Sequence, residues 1–265
     1  MRKNTEGEQS PMRITALTEN TARRADITAE HGLSLYIETA KKRVLFDMGQ
    51  SDLFLRNAAV LGIDLSRVDA AVISHGHYDH GGGLAAFLQI NDHAPVYVSR
   101  YAFEEHRNQT GKDIGLSPAL CTHPRLIFTD DLCDMAEGWT LCSCNGYPRN
   151  YPSHSGDMTA MGQTEDFRHE QYLLIKVEGK KVLVSGCSHK GILNVAAWFR
   201  PDVLIGGFHL SSLPCGEELA DVARQLAAYD TDYITCHCTG TEQYERMRRD
   251  LPRLRYLSAG ETIEI

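Results

Sequence analysis

The chain has 265 residues, with 27 Lys and Arg against 35 Asp and Glu, a net charge of −8, and 42% hydrophobic residues. That is enough to bury a core without disulfide or metal staples, and the acidic balance weighs against a nucleic-acid or anionic-membrane partner. No apolar stretch approaches a bilayer span, and "MRKNTEGEQSPM" has no signal-peptide core, so the eight cysteines read as reduced thiols of a cytoplasmic protein.

Residues 1–11 read as a loose tail and residues 12–265 as a single domain. "RITALTE" is a strand. "LSLYIET" and "RVLFDMG" are β-rich runs joined by "AKK", a hairpin signal. Ser51 can cap a helix through "DLFLRNAAVLG", with Gly62 as its stop. "VDAAVIS" is a short apolar strand, and "GLAAFLQI" begins the next helix. From about 100 to 166 the pattern loosens; "NGYPRNYPSHSGDMTAMGQTED" has no clear period, as in a functional loop or lid. The strand–helix alternation then returns: "KVLVSGCSH", "GILNVAAWFR", "DVLIGGFHL", an amphipathic helix with Leu219, Val222, Leu226 and Tyr229 on one face, "DYITCHCTG", a helix striped by Tyr244, Met247 and Leu251, and a closing "LRYLSAGETIEI". These alternations predict an α/β domain with two βα halves facing each other.

Five apolar runs end in polar clusters: "FDMG" with Asp47, "ISHGHYDH" with His75, His77, Asp79 and His80, "SGCSH" with Cys187 and His189, "GGFH" with His209, and "TCHCTG" with His237. The carboxyl edge of an α/β sheet is where ligands bind, so residues distant in sequence can converge there. With 12 His in 265 residues, HxHxxH arises by chance at roughly 1 in 10,000 starting positions, so chance is a poor account of the second cluster. Alternate residues leaving a strand point the same way, so His75 and His77 can face one ion, with Asp79 and His80 on the following turn. Imidazoles with a carboxylate suit zinc, iron or manganese rather than calcium or magnesium. Asp47 is expected to orient a ligand ring from behind. Taken alone, His189, His209 and His237 can also be core histidines. His31 either approaches the site or serves as a capping or packing residue.

"SHGHYDHGG", "VLFDMG" and "TCHCTG" resemble the signature motifs of the metallo-β-lactamase superfamily, from about residue 13 to the C-terminus. The resemblance implies a four-layer αββα sandwich, two mixed sheets with outer helices, and a metal centre at the rim. "EHGLSLYIE", "GCSHKGILN", "GGFHL" and "CHCTG" are similar to a narrower group that carries the name of the archaeal enzyme joining dihydropterin to ribofuranosylaminobenzene phosphate. The chain departs from the family where a strand usually ends in "GD"; here "SGC" puts Cys187 in the metal-bridging position. The middle ligand histidine has no "GH" counterpart. His189 is favoured for it over His154 and His169. By resemblance, His75, His77 and His189 hold one divalent ion and Asp79, His80 and His237 a second, zinc before manganese or iron, with Cys187 between them.

Such a centre suits a hydrolase acting on an ester, phosphoester or phosphodiester of a small molecule, with Asp79 fixing the nucleophile and His209 protonating the leaving group. The alternatives are a transferase of the dihydropterin type and a mononuclear iron enzyme that oxidises sulfur. Tyr147, Arg149 and His154 in the irregular stretch, with His169 just beyond it and His31, are the candidate substrate contacts, suited to a small, flat, anionic molecule.

Overall fold

The computed structural model describes residues 11–265; the expected N-terminal tail lies almost entirely outside them. Strands are β1 (Arg13–Thr18), β2 (Ser34–Glu38), β3 (Arg43–Phe46), β4 (Ala70–Ile73), β5 (Val96–Ser99), β6 (His106–Arg107), β7 (Leu126–Thr129), β8 (Leu132–Ala136), β9 (Trp139–Cys142), β10 (Thr159–Ala160), β11 (Gln163–Thr164), β12 (Tyr172–Val177), β13 (Lys180–Val184), β14 (Val203–Gly206), β15 (Asp232–Thr235), β16 (Leu254–Tyr256) and β17 (Thr262–Glu264). Helices are α1 (Leu53–Val60), α2 (Tyr78–Gly81), α3 (Leu84–Ile90), α4 (Ile192–Phe199), α5 (Glu217–Ala227) and α6 (Thr241–Met247).

Two seven-stranded mixed sheets run β17-β1-β2-β3-β4-β5-β7 and β16-β15-β14-β13-β12-β9-β8. Strand residues point alternately to opposite faces, and both faces of the central strands are apolar. Val44 and Phe46 of β3, Val182 and Val184 of β13, and Val203 and Ile205 of β14 meet between the sheets. Leu45 instead faces the helix layer with Phe54 and Phe87, and Leu183 and Leu204 face Leu219, Val222 and Leu226 of α5. The layers are therefore helix, sheet, sheet, helix, as the family resemblance implied. The N-cap of α1 is Asp52 rather than Ser51; Ser51, one residue earlier, still accepts the Leu53 N–H on its Oγ at 3.1 Å.

The stretch from 100 to 166 is more ordered than its composition suggests. β7 completes one sheet, β8 and β9 extend the other, and β6, β10 and β11 form a small third sheet. Their edge positions and short lengths hide them: β8 is mostly exposed or half-buried, so no apolar alternation marks it. β17 lies last in sequence yet pairs with β1, tying the C-terminus to the other half. Among the described residues no helix is long and apolar enough to cross a membrane.

What positions the site is the shared direction of the parallel strands. β3 and β4 run parallel, as do β13, β14 and β15, so all five polar clusters leave the sandwich at carboxyl strand ends. Ile205, fully buried between the sheets, tests this core: Ile205→Ala should cost about 2–5 kcal/mol by urea unfolding. Ile127→Ala, at a side chain that is 40% exposed, should cost less than about 1 kcal/mol.

Candidate metal centre

The clusters converge. The loop after β4 carries His75 and His77, and α2 carries Asp79 and His80. Ring nitrogens or sulfur of His75, Cys187 and His189 lie within 4.8 Å of one another, and so do those of His80, Cys187 and His237; Cys187 is common to both groups. All of these residues are buried. Asp79 Oδ2 lies 3.3 Å from His237 Nε2 and 3.2 Å from His31 Nε2. His31 is exposed and Asp79 sits just beneath it, so this side faces solvent.

The backbone is bent to achieve this. Asp47, Ser188, His209 and His237 all have positive φ, between 49° and 60°. Each such non-glycine residue costs about 1 kcal/mol or more, and such residues gather where function demands them. Gly186 permits the two halves to touch here, because a Cβ on it would strike Ser74 Oγ.

The hydrogen bonds fix which ring nitrogens carry protons. Ser74 Oγ donates to Asp47 Oδ2 at 2.7 Å. It must therefore accept from His75 Nδ1, 2.8 Å away, which leaves the lone pair of His75 on Nε2. His80 Nδ1 lies 2.6 Å from Asp47 Oδ2, and a carboxylate only accepts. Ser155 Oγ donates to the His189 carbonyl and so accepts from His189 Nδ1 at 3.1 Å. Asn20 Oδ1 already accepts from the Gly32 N–H and lies 2.8 Å from His237 Nδ1. All four rings thus turn an Nε2 lone pair inward.

With the rings neutral, those lone pairs face one another with no hydrogen between them. His189 Nε2 is 3.3 Å from His75 Nε2 and His80 Nε2 is 3.2 Å from His237 Nε2; the Cys187 thiol, 3.2 Å from His80 Nε2, can donate its S–H to a neutral His80. Burial opposes charge on His80, but the Asp47 and Asp79 carboxylates outweigh it and push its pKa up to about 9. A proton there can relieve one contact. Nothing comparable relieves His75 and His189, which burial and the surrounding imidazoles hold well below the usual histidine range. Burial also takes His77 down to about 3 and raises the Cys187 thiol. Neutral nitrogen donors, a carboxylate and a thiol that converge in this way fit divalent metal ions of the zinc, iron and manganese type.

Other expected residues fall at different distances. His209 packs on His189 with ring centroids 4.2 Å apart, and its buried Nδ1 has no partner. His154 lies on the segment whose neighbours Ser153 and Ser155 both bond the His189 carbonyl, but its own Nδ1 faces Glu218. Tyr147 is exposed and packs edge-on against Trp198, and Arg149 donates to the Asp166 carbonyl; neither enters the cluster. His169 is fully buried and accepts the Gly76 N–H on Nδ1.

Several working residues escaped sequence reading. Glu170 accepts the His189 and Lys190 N–H groups and the Tyr172 hydroxyl, pinning the loop that carries His189. Lys190 Nζ, itself buried, donates to Asn145 and to the Ser143 and Glu170 carbonyls. Glu19 accepts the His237 N–H. Common residue types without ligand spacing give no signal for these roles.

The sequence model of the metallo-beta-lactamase superfamily matches residues 27–174. The chain is 29% identical over 242 residues to the uncharacterized protein MJ0448 of Methanocaldococcus jannaschii, covering 86% of this chain and 90% of that one. It is 26% identical to the 7,8-dihydropterin-6-methyl-4-(beta-D-ribofuranosyl)-aminobenzene-5'-phosphate synthase of the same organism, covering 85% and 88%. Among solved structures, Tm1679, described as a metal-dependent hydrolase of the beta-lactamase superfamily, superposes with a TM-score of 0.81 at 27% identity, over 96% of this chain and 99% of that one. With its αββα layers and its His-rich loop at the strand ends, the chain belongs to the metallo-β-lactamase superfamily.

Proposed function

We propose that this protein is a metal-dependent hydrolase that cleaves an ester, phosphoester or phosphodiester of a small molecule at a two-ion centre. The observation that carries the reading is the inward convergence of imidazole lone pairs at 3.2–3.3 Å. His75, His77, His189 and Cys187 would hold one ion. Asp79, His80, His237 and Cys187 would hold the other. Two divalent ions supply Lewis acidity and lower the pKa of water from about 15.7 toward about 7.

The chain's own groups do the rest. Burial works against charge on Asp79, but His80 and the close approach of the His237 and His31 rings hold its carboxyl well below the usual range. It therefore stays ionised at neutral pH, able to orient the attacking water. His31 flanks Asp79 on the open side and can hold an anionic substrate group. His209 is half-buried beside His189, where its imidazole can protonate a leaving oxygen. The net charge of −8 favours a small substrate over a nucleic acid.

A second reading, a transferase in which the ions stabilise an anion, is supported by the 26% identity to the dihydropterin synthase relative. Turnover of dihydropterin with a phosphoribosylated aromatic, and no hydrolysis of esters, would favour it over the first.

With zinc-loaded protein and a panel of aryl esters and phosphodiesters, Asp79→Ala should lower kcat by about 100-fold or more; an undiminished rate would contradict the mechanism. His209→Gln should slow substrates with poor leaving groups by roughly 100-fold while nitrophenolate esters, which need no proton, change little. Equal losses on both would remove His209 as the acid. Asp47→Ala should weaken zinc binding by about 10–100-fold in chelator competition, because two ligand rings lose their orientation.

A further inference from the structure

His77 has a second neighbourhood, on the side of His106 and His169. The Nε2 atoms of His77, His106 and His169 are each buried without a hydrogen-bond partner. One ring nitrogen from each lies within 4.8 Å of the other two. The group resembles a third metal site, but its protons argue otherwise.

His169 Nδ1 accepts the Gly76 N–H at 2.7 Å. Its proton is therefore on Nε2, 3.6 Å from Glu165 Oε1, and a protonated nitrogen cannot ligate. His106 Nδ1 lies 2.8 Å from Glu165 Oε2, both side chains being buried. The carboxylate accepts, so His106 carries its proton on Nδ1 and a lone pair on Nε2. That leaves a single acceptor, His106 Nε2, on a ring whose centroid is 5.7 Å from that of His77, whose own Nε2 is buried and unpaired. The fit is close: a Cβ on Gly76 would come 2.8 Å from His106 Nε2 and strike the Ala102 carbonyl. Only glycine between the two ligand histidines admits His106.

We infer that Glu165 and His106 form a positioning relay behind His77. Glu165 accepts from His106 Nδ1–H, and His106 Nε2 accepts from His77 Nε2–H, directly or through one water. This satisfies two buried nitrogens that are otherwise unpaired and leaves His77 Nδ1 as the lone pair for the ion shared with His75 and His189. His169 keeps Gly76, and hence the turn, in place. Neither Glu165 nor His106 touches metal or substrate; both act through His77. The inference rests on the two-ion reading above, but not on the hydrolytic reaction.

The test is metal binding rather than turnover: zinc affinity by chelator competition, metal equivalents per chain, and the visible spectrum of the cobalt-loaded protein. His106→Phe keeps a ring and removes both nitrogens. It should bind one of two ions about 10–100-fold more weakly, with the cobalt spectrum shifted and the limiting stoichiometry still two at saturating metal. His106→Gln, whose amide oxygen can accept where Nε2 did, should recover affinity to within a few-fold of the natural protein. If His106→Phe does not fold by circular dichroism, Glu165→Gln carries the test and should weaken binding by roughly tenfold. Unchanged affinity and spectrum in these variants, with the natural protein binding two ions, would overturn the relay alone. Three tight ions in the natural protein, one lost in His106→Phe, would make the cluster a metal site and overturn it too. No binding by the natural protein would remove the two-ion reading and the relay with it.

Discussion

The carboxylate of Asp47 is the contact on which the centre depends. It is fully buried and sits at positive φ just past β3. It accepts the Ser74 N–H at 2.7 Å, the Ser74 hydroxyl at 2.7 Å and the His80 ring at 2.6 Å. Through Ser74 it fixes the tautomer of His75, and directly it fixes that of His80. One carboxylate therefore orients a ring in each half of the cluster. Leaving those partners unpaired in a dry interior would cost about 1–3 kcal/mol apiece, so the arrangement is held stiffly.

The same logic repeats around the site with different acceptors. Ser155 turns His189, Asn20 turns His237, and Glu165 turns His106. Each outer partner comes from a different element, so the site is assembled by the tertiary fold rather than by one loop. The result is a concentration of buried ring nitrogens in which the neutral pair His75 and His189 face each other across 3.3 Å. The fold carries positive φ at Asp47, Ser188, His209 and His237 to bring these groups together, and in the two-ion reading proposed above bound cations would compensate for the crowding.

Much of this was legible because HGHYDH packs four chemically matched residues into six positions, and because apolar runs with polar ends mark carboxyl strand termini. The strands β3, β13 and β14 were readable as the short apolar runs in "RVLFDMG", "KVLVSGCSH" and "DVLIGGFHL", buried on both faces. What was not legible depended on contacts between distant segments. His106 lies in "EEHRNQ", where a lone histidine carries no spacing, and its partner Glu165 is 59 residues away. Ser74, Ser155 and Asn20 are ordinary residues until the fold places them behind a ring. The strand β8 escaped because an edge strand half open to solvent has no apolar face to announce it, and the four residues of β9 are too few to set up a readable period.

The most direct measurement is the metal content of the protein, stripped with chelator, reloaded with zinc and counted by elemental mass spectrometry against protein concentration. The structure leads us to expect two tightly held ions per chain, with one lost in His189→Ala and the other in His237→Ala. A chain that retains none after reloading, or whose binding is indifferent to both substitutions, would contradict the view that these inward-facing histidines exist to hold metal.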